Sequence, residues 1–175
     1  MKAYETSGNV LFEEKQKFPS WLTLLMGSIM LLTIVIILIT GFTRPEEDRK
    51  EMWAGLIVAI AAEIFVIALF LNVQLEKIVT TNGLYYRWSP WQKKFRVIEK
   101  ESIKGFELRN GPPLNYGIHW FPGYGWVHNA STGEGLQLYL VNGRRMFFST
   151  ADASFFQRAL QNLISSNPKQ SMSEF

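Results

Sequence analysis

The sequence predicts a membrane α-helical hairpin followed by a mainly β domain. Residues 18–43 form a run of 26 residues without a formal charge, and residues 52–75 form a run of 24 that only Glu63 interrupts. Each run exceeds the roughly 20 residues that a helix needs to cross ~30 Å of hydrocarbon. The pattern then changes to short alternating segments rich in Val, Ile, Tyr, Phe and Thr, which is typical of strands and turns.

Composition narrows the class of protein. The 175 residues are 47% hydrophobic but only 19% charged, and the apolar residues are concentrated in the two runs. This excludes a soluble globular enzyme, and the chain after the runs has about 100 residues, enough for one modest domain. The absence of cysteine excludes disulfides and thiolate chemistry.

The predicted organisation has four parts. Residues 1–20 form a cytoplasmic leader, residues 21–71 a hairpin with spans at 21–42 and 52–71, residues 72–165 the β domain, and residues 166–175 a disordered tail. The residues between the spans include Pro45, Glu46, Glu47 and Asp48, which are typical of the first turn of a helix.

Within the β domain the alternation predicts strands and one helix. Strands are expected near 74–80, 84–89, 94–99, 103–109, 116–119, 125–129, 135–141 and 144–149. Asn82-Gly83 and Asn142-Gly143 lie between such segments and predict tight hairpins. Thr150 is expected to cap a helix over 151–165, whose apolar face would comprise Phe156, Leu160, Leu163 and Ile164.

Charge indicates location and one kind of partner. Residues 72–175 carry twelve basic and seven acidic residues, so this part is +5 while the chain before it sums to −2. The loop between the spans has only Arg44, Arg49 and Lys50, whereas the flanks on the other side have more Lys and Arg, so the positive-inside rule places both termini in the cytoplasm. A basic domain held at a bilayer is attracted to anionic lipid, although a solvated positive face that binds nothing in particular fits the same composition.

The order of elements resembles the bacterial pleckstrin-homology-like domain, in the branch where it follows two membrane spans. The residues that carry the likeness are Tyr116-Gly117-Ile118 with Trp120, Gly125-Trp126, Gly135-Leu136-Gln137-Leu138, Asn142-Gly143-Arg144-Arg145 and Ser149-Thr150. The resemblance implies a partly open antiparallel sandwich or barrel of about seven strands, closed by a C-terminal helix. It also implies a binding or assembly role rather than catalysis, without a cofactor.

The basic residues depart from the phosphoinositide-binding members of that wider fold. Those members use basic residues around the first hairpin turn, whereas here that turn, Thr80 to Gly83, has no Lys or Arg. The nearest substitutes are Lys93, Lys94 and Arg96, which have phosphate-contacting chemistry. With Arg144 and Arg145 they form the basic part of the candidate binding set.

The segment from Tyr116 to Trp126 supplies the aromatic part of that set. It contains five aromatic residues among three glycines and a proline, and Tyr116, Trp120, Tyr124 and Trp126 are the candidates for contact with lipid headgroups or a protein partner. Core packing and tight turns explain the same composition without a ligand.

Glu63 is the one ionisable residue within a span. An ionised carboxylate there costs several kcal/mol, so we expect it to be protonated, paired or facing a wet cavity. On a helical wheel it falls on a stripe of small residues with Gly55, Ala59 and Ala62, where another helix can approach closely. Thr33 lies at similar depth on the first span, so a contact between the helices or between copies of the chain is expected.

The remaining residues carry no signature of catalysis. His119 and His128 lack partners at metal-ligand spacing, so no metal site is predicted, and the scattered cations are too few for nucleic acid. We therefore expect an integral, non-catalytic binding or assembly protein that contacts lipid headgroups or a protein partner and uses no cofactor. The alternative is a small transport or pore subunit working through helix oligomerisation and Glu63.

Overall fold

The computed structural model describes residues 6–43, 49–112 and 116–165, and for residues 49–52 it describes the backbone alone. The predictions for residues 1–5, for Pro45 to Asp48 and for the tail at 166–175 lie outside these ranges. The chain forms two compact units, residues 18–72 and the remainder.

The first unit is a pair of helices, α1 (Ser20–Phe42) and α2 (Arg49–Asn72). Both are long and apolar enough to cross a membrane, which confirms the two predicted apolar helices. The rings of Phe18 and Phe70 lie 5.6 Å apart, so the residues before α1 lie beside the end of α2 and the pair is antiparallel. Most apolar side chains of both helices are exposed within the unit, as suits helices surrounded by lipid.

The second unit contains two sheets and a final helix. The four-stranded sheet has the order β1 (Val10–Lys17), β2 (Gln74–Thr80), β3 (Gly83–Ser89) and β4 (Arg96–Glu99), all antiparallel. The five-stranded sheet has the order β5 (Ile103–Asn110), β8 (Glu134–Leu140), β9 (Arg145–Ser149), β7 (Gly125–Asn129) and β6 (Gly117–Phe121). Its β7 and β9 are parallel, so the sheet is mixed. The chain ends in helix α3 (Ala153–Ser165).

This architecture confirms a helical pair followed by a mainly β domain with a C-terminal helix. Each predicted strand matches an observed one, with ends that differ by at most two residues. The described residues contain nine strands rather than about seven, and membership of the pleckstrin-homology-like family stays a prediction.

Strand β1 is the main difference from the sequence analysis. Residues 10–17, expected within a leader, pair with β2 along its whole length, from Val10 opposite Thr80 to Lys17 opposite Gln74. The side chains of β1 that turn inwards include Glu14 and Gln16, which bind the buried ammonium group of Lys77. Because these inward positions are polar, β1 lacks the alternation of apolar and polar residues that reveals a strand.

The core of the β unit lies between the two sheets and α3. It includes Val79, Leu84, Leu136, Leu138, Phe148, Phe156, Leu160 and Leu163, all less than 2% exposed. The predicted apolar face of the last helix is therefore confirmed.

The N-terminal cap of α3 is not Thr150 but Asp152, whose Oδ1 accepts a hydrogen bond from the backbone N–H of Phe155 at 3.1 Å. Thr150 instead donates its hydroxyl to Glu14 Oε2 at 2.8 Å.

The two ends of the four-stranded sheet have different surroundings. At one end Lys17, Gln74 and Ser89 are paired across three strands, and the chain passes from β1 to the helices and back to β2 there; we name it the connection end. At the other, the turn end, Gly83 pairs with Thr80 and Glu99.

Candidate binding groove

Two tryptophans lie opposite each other on the last two strands of the five-stranded sheet. Trp120 on the edge strand β6 pairs with Trp126 on β7. Their exposed fractions are 61% and 49%. Two large aromatic side chains on one face of an edge hairpin form an apolar patch of the kind that marks interaction sites.

The sheet register explains why aromatic residues stand at these positions. Trp126 is opposite Met146 on β9, and Met146 is opposite Leu138 on β8. Opposed residues share a face, and Met146 and Leu138 belong to the core. The two tryptophans therefore lie on the same face of the sheet as the core residues, but at its edge, where they stay exposed.

Two glycine-containing turns bring basic residues to the same place. Asn142-Gly143 reverses the chain between β8 and β9 with Gly143 at a φ of +80°, a conformation that favours glycine. At the start of β7, Gly125 has a φ of +73°, and a Cβ there would collide with the backbone carbonyl oxygen of Arg145. This close approach sets β7 beside the start of β9, so Arg144 and Arg145 follow the second turn directly next to Trp126.

The result is a groove of about 470 Å³ that we call the Trp-Arg groove. Its lining consists of Trp120, Gly123, Gly125, Trp126, Gly143, Arg144 and Arg145. Both arginines are exposed, and within the described residues the guanidinium of Arg144 makes no hydrogen bond or ion pair. The lining offers apolar rings and positive charge without a carboxylate or nucleophile, so it can bind an anionic group but contains no acid, base or nucleophile for catalysis.

Tyr124 supports the groove from the turn between β6 and β7. Its hydroxyl donates to the carbonyl oxygen of Asn110 at 2.9 Å, and its ring packs edge-on against Phe147. The guanidinium of Arg109 lies 3.8 Å from the centre of the Tyr124 ring and donates to the carbonyl oxygen of Gly123 at 3.1 Å. Arg109 thus adds a third positive charge beside the groove; sequence reasoning missed it because it lies 14 residues from Gly123 and in no motif.

The groove lies towards the turn end of the β unit. Strand β9 begins there at Arg145 and ends at Ser149, whose hydroxyl donates to Gln16 Oε1 at 3.0 Å, next to the connection end. Likewise β7 runs from the groove to His128, which Trp88 contacts close to Ser89. Since each β9 residue advances about 3.3 Å, the groove is about 13 Å from the Gln16 contact.

The structure does not bring all the predicted binding residues together. Trp120, Trp126, Arg144 and Arg145 line the groove, with Tyr124 beneath it. Lys93 and Lys94 lie in the loop between β3 and β4, which leaves the connection end, and Arg96 begins β4. Tyr116 is half-buried immediately before β6.

The residues predicted to make contacts between the two helices have different surroundings. Glu63 borders an apolar cavity of about 250 Å³ whose lining also includes Met26, Ile29, Met30, Ala62, Val66 and Ile67. Its Oε2 is shut off from solvent and has no hydrogen-bond partner among the described residues. Thr33 donates its hydroxyl to the carbonyl oxygen of Ile29 on its own helix. Ala59 is half-buried, and Gly55 is exposed with open space at its Cβ position.

A buried polar cluster around Lys77, the middle residue of β2, joins the two sheets. Lys77 is fully buried; its ammonium group lies 2.7 Å from Glu14 Oε2 and donates to Gln16 Oε1 and to the carbonyl oxygen of Ser149. Burial lowers the pKa of Lys77 to about 8, and the Glu14 carboxylate partly offsets that effect. These partners and the surrounding core enclose the ammonium group completely, so we assign Lys77 to structure rather than catalysis.

His128 is buried near the connection end, beside Trp88. Its Nδ1 accepts a hydrogen bond from the indole N–H of Trp88 at 3.1 Å, and its ring stacks on Phe148. Burial lowers the pKa of His128 to about 3, with smaller contributions from the charges of Arg96 and His119. The imidazole is therefore neutral at physiological pH and serves as a hydrogen-bond acceptor inside the core.

Among residues 6–43, 49–112 and 116–165, no group of three or more His, Asp or Glu side chains is arranged to hold a metal ion. Comparison of the chain with protein-family models, curated proteins and solved structures finds no match. Geometry and chemistry are therefore the basis for assigning a function.

Proposed function

We propose that this chain is a membrane-anchored, non-catalytic binding protein whose Trp-Arg groove receives an acidic segment of a protein partner. The observation that carries the proposal is the pair of exposed, opposed tryptophans directly beside two exposed arginines. Tryptophan and arginine dominate the energetics of protein interfaces, because aromatic rings bury large apolar areas and guanidinium groups pair with carboxylates.

The strand that carries Trp120 supports a protein partner, and the groove lies at the opposite end of β9 from the contact between Ser149 and Gln16. Strand β6 is an edge strand, so its outer backbone groups are available to pair with an added strand of a partner.

We further propose that the protein resides in a bacterial cytoplasmic membrane with both termini in the cytoplasm. The charge distribution supports this orientation, because the flanks outside the hairpin carry more Lys and Arg than the loop between the spans. Protease treatment of sealed cells checks it: digestion of the β unit in intact cells would contradict a cytoplasmic domain.

The binding proposal is tested with the full chain in nanodiscs of phosphatidylcholine and a fluorescent hexaglutamate peptide as the probe. We expect the double variant R144Q/R145Q to weaken binding about tenfold, which corresponds to ~1.4 kcal/mol. The matched control K93Q/K94Q removes the same charge at the connection end and should bind the peptide like the wild type. Trp120→Ala should also weaken binding, because the peptide loses apolar contact.

Two outcomes would overturn this assignment. Equal affinity of the peptide for R144Q/R145Q and K93Q/K94Q would mean that the attraction is a property of overall charge. If the nanodisc-held protein instead captured phosphatidylglycerol vesicles and lost them on R144Q/R145Q substitution, the groove would be a lipid site.

A further inference from the structure

A second surface of the β unit, at its connection end, has a different chemistry. Strand β3 ends at Ser89, which pairs with Gln74, and the loop of residues 90–95 then leads to β4. One residue, Val73, separates α2 from β2, and two residues separate β1 from α1. Covalent geometry therefore keeps Gln74 within about 7 Å of the last residue of α2.

The exposed side chains of this loop are those of a membrane interface. Trp91 is 60% exposed, and Lys93 and Lys94 are exposed beside it. Tryptophan favours the headgroup region of a bilayer because its ring is apolar and its N–H is a donor. Lysines near an anionic leaflet are attracted to it electrostatically.

Hydrogen bonds within the loop fix its backbone, so the side chains of Trp91, Lys93 and Lys94 are held in exposed positions. The side-chain oxygen of Gln92 accepts a hydrogen bond from the backbone N–H of Trp88 at 3.2 Å, and the Gln92 N–H donates to the Trp88 carbonyl at 2.7 Å. The guanidinium of Arg87 donates to the Lys93 carbonyl at 3.1 Å and lies 4.4 Å from the Phe95 ring centre.

Arg87 is itself held in place. Its Nε donates to Glu76 Oε2 at 2.8 Å, and its Nη2 lies 2.7 Å from the same oxygen. Glu76 thus neutralises Arg87, which holds the loop, and the positive charge of Lys93 and Lys94 is left for a ligand outside the loop.

We infer that Trp91, Lys93 and Lys94 form a contact site for the headgroups of anionic phospholipids in the membrane that holds α1 and α2. The site shares no residue with the Trp-Arg groove, so occupation of one does not exclude occupation of the other. The inference goes beyond the proposed function and does not depend on it, because it uses a different loop and a different ligand.

The test uses the full chain in nanodiscs whose lipids are brominated near the headgroup end of the acyl chains, since bromine quenches nearby tryptophan emission. Two conservative variants are compared, W91F and W120F; each removes one exposed tryptophan. In discs of phosphatidylglycerol we expect W91F to lower the amount of tryptophan emission that the brominated lipid quenches, and W120F to leave this amount unchanged. An equal quenched part in the two variants would overturn the inference.

The role of charge has its own readout, the difference in quenched emission between each protein and its W91F version, which isolates Trp91 from the other five tryptophans. With brominated phosphatidylglycerol we expect K93Q/K94Q to reduce the quenching at Trp91 at least twofold, while R144Q/R145Q leaves it unchanged. In phosphatidylcholine discs the lysine substitutions should have no effect. The same quenching in K93Q/K94Q and wild type with anionic lipid would refute the lysines' part in the site.

Discussion

At the scale of single residues, burial decides what a polar side chain does. The two histidines of the chain show this: His128 lies in the core against Trp88 and Phe148, whereas His119 lies on the edge strand β6. Burial lowers the pKa of both, to about 3 for His128. Neither imidazole faces a nucleophile or a metal ligand set among the described residues, so we expect their effect on stability rather than on chemistry.

The pKa of His128 predicts a loss of stability in acid. The folded pKa of about 3 lies below the ordinary value of 6.5, so the unfolded chain takes up the proton first. The free energy of unfolding therefore falls as the pH drops from 6.5 towards 3, by up to about 1.4 kcal/mol per pH unit. Thermal unfolding of the full chain in detergent, followed by near-ultraviolet circular dichroism, measures this slope.

The matched variants are H128Q and H119Q. Glutamine can accept the hydrogen bond of Trp88 but takes up no proton in this range, so H128Q should flatten the acid slope. H119Q should keep most of it. If H128Q and wild type lost stability in parallel, another group would be the source of the acid sensitivity.

At the scale of elements, β1 is held by a buried ion pair rather than by apolar contacts alone. Glu14 binds the ammonium group of Lys77, accepts the hydroxyl of Thr150 and accepts the backbone N–H of Ala151 at 2.7 Å. One carboxylate thus connects the first strand, the second strand and the chain entering α3. Breaking a buried pair by removing one partner is costly, since the other charge is left without compensation.

We therefore expect Glu14→Gln to lower the free energy of unfolding of the β unit by about 3 kcal/mol. Glu13 provides the matched control, because it lies next to Glu14 and forms an exposed pair with Lys15 at 3.5 Å. Exposed pairs contribute about 0–1 kcal/mol, so Glu13→Gln should have little effect. Chemical denaturation of both variants in the same detergent compares them, and equal losses would contradict a special role for Glu14.

At the scale of the whole molecule, the helical pair is an insertion between two neighbouring strands. Lys17 and Gln74 are paired, yet 56 residues lie between them in the sequence. The β unit therefore depends on both sides of the hairpin, and a domain cut at residue 72 lacks one strand of its sheet.

Excision of the hairpin tests this organisation. Replacing residues 19–72 by Asn-Gly should add Phe18 and Val73 as a further pair and join β1 to β2 through a two-residue turn, since paired antiparallel strands accept such a connection. We expect a monodisperse protein that is soluble without detergent and has a β-rich circular dichroism spectrum. The comparison is residues 73–165 alone, in which Lys77 loses Glu14 and Gln16; this fragment should aggregate, and equally good folding of the two would show that β1 is dispensable.

The candidate site could be predicted in part. The sequence analysis named Trp120, Trp126, Arg144 and Arg145, because glycine turns and residues typical of interfaces can be recognised locally. Arg109 could not be predicted, since its approach to Tyr124 depends on the placement of β5 beside β8. Trp91 was missed for a related reason. Only the strand register, which places Ser89 beside Gln74 and Lys17, shows that the Trp91 loop begins at the strand ends that lead to the helices.

The sequence by itself determined the two apolar helices, eight of the nine strands that the described residues form and the apolar face of α3, because each follows from a local pattern of hydrophobicity. Tertiary structure decided the membership of β1, where Glu14 and Gln16 turn inwards towards a buried lysine that lies more than 60 residues away. It also separated the predicted basic residues into a groove at one end of the β unit and a loop at the other. Such long-range pairings are set by the register of strands and by buried charge, and a local pattern contains neither.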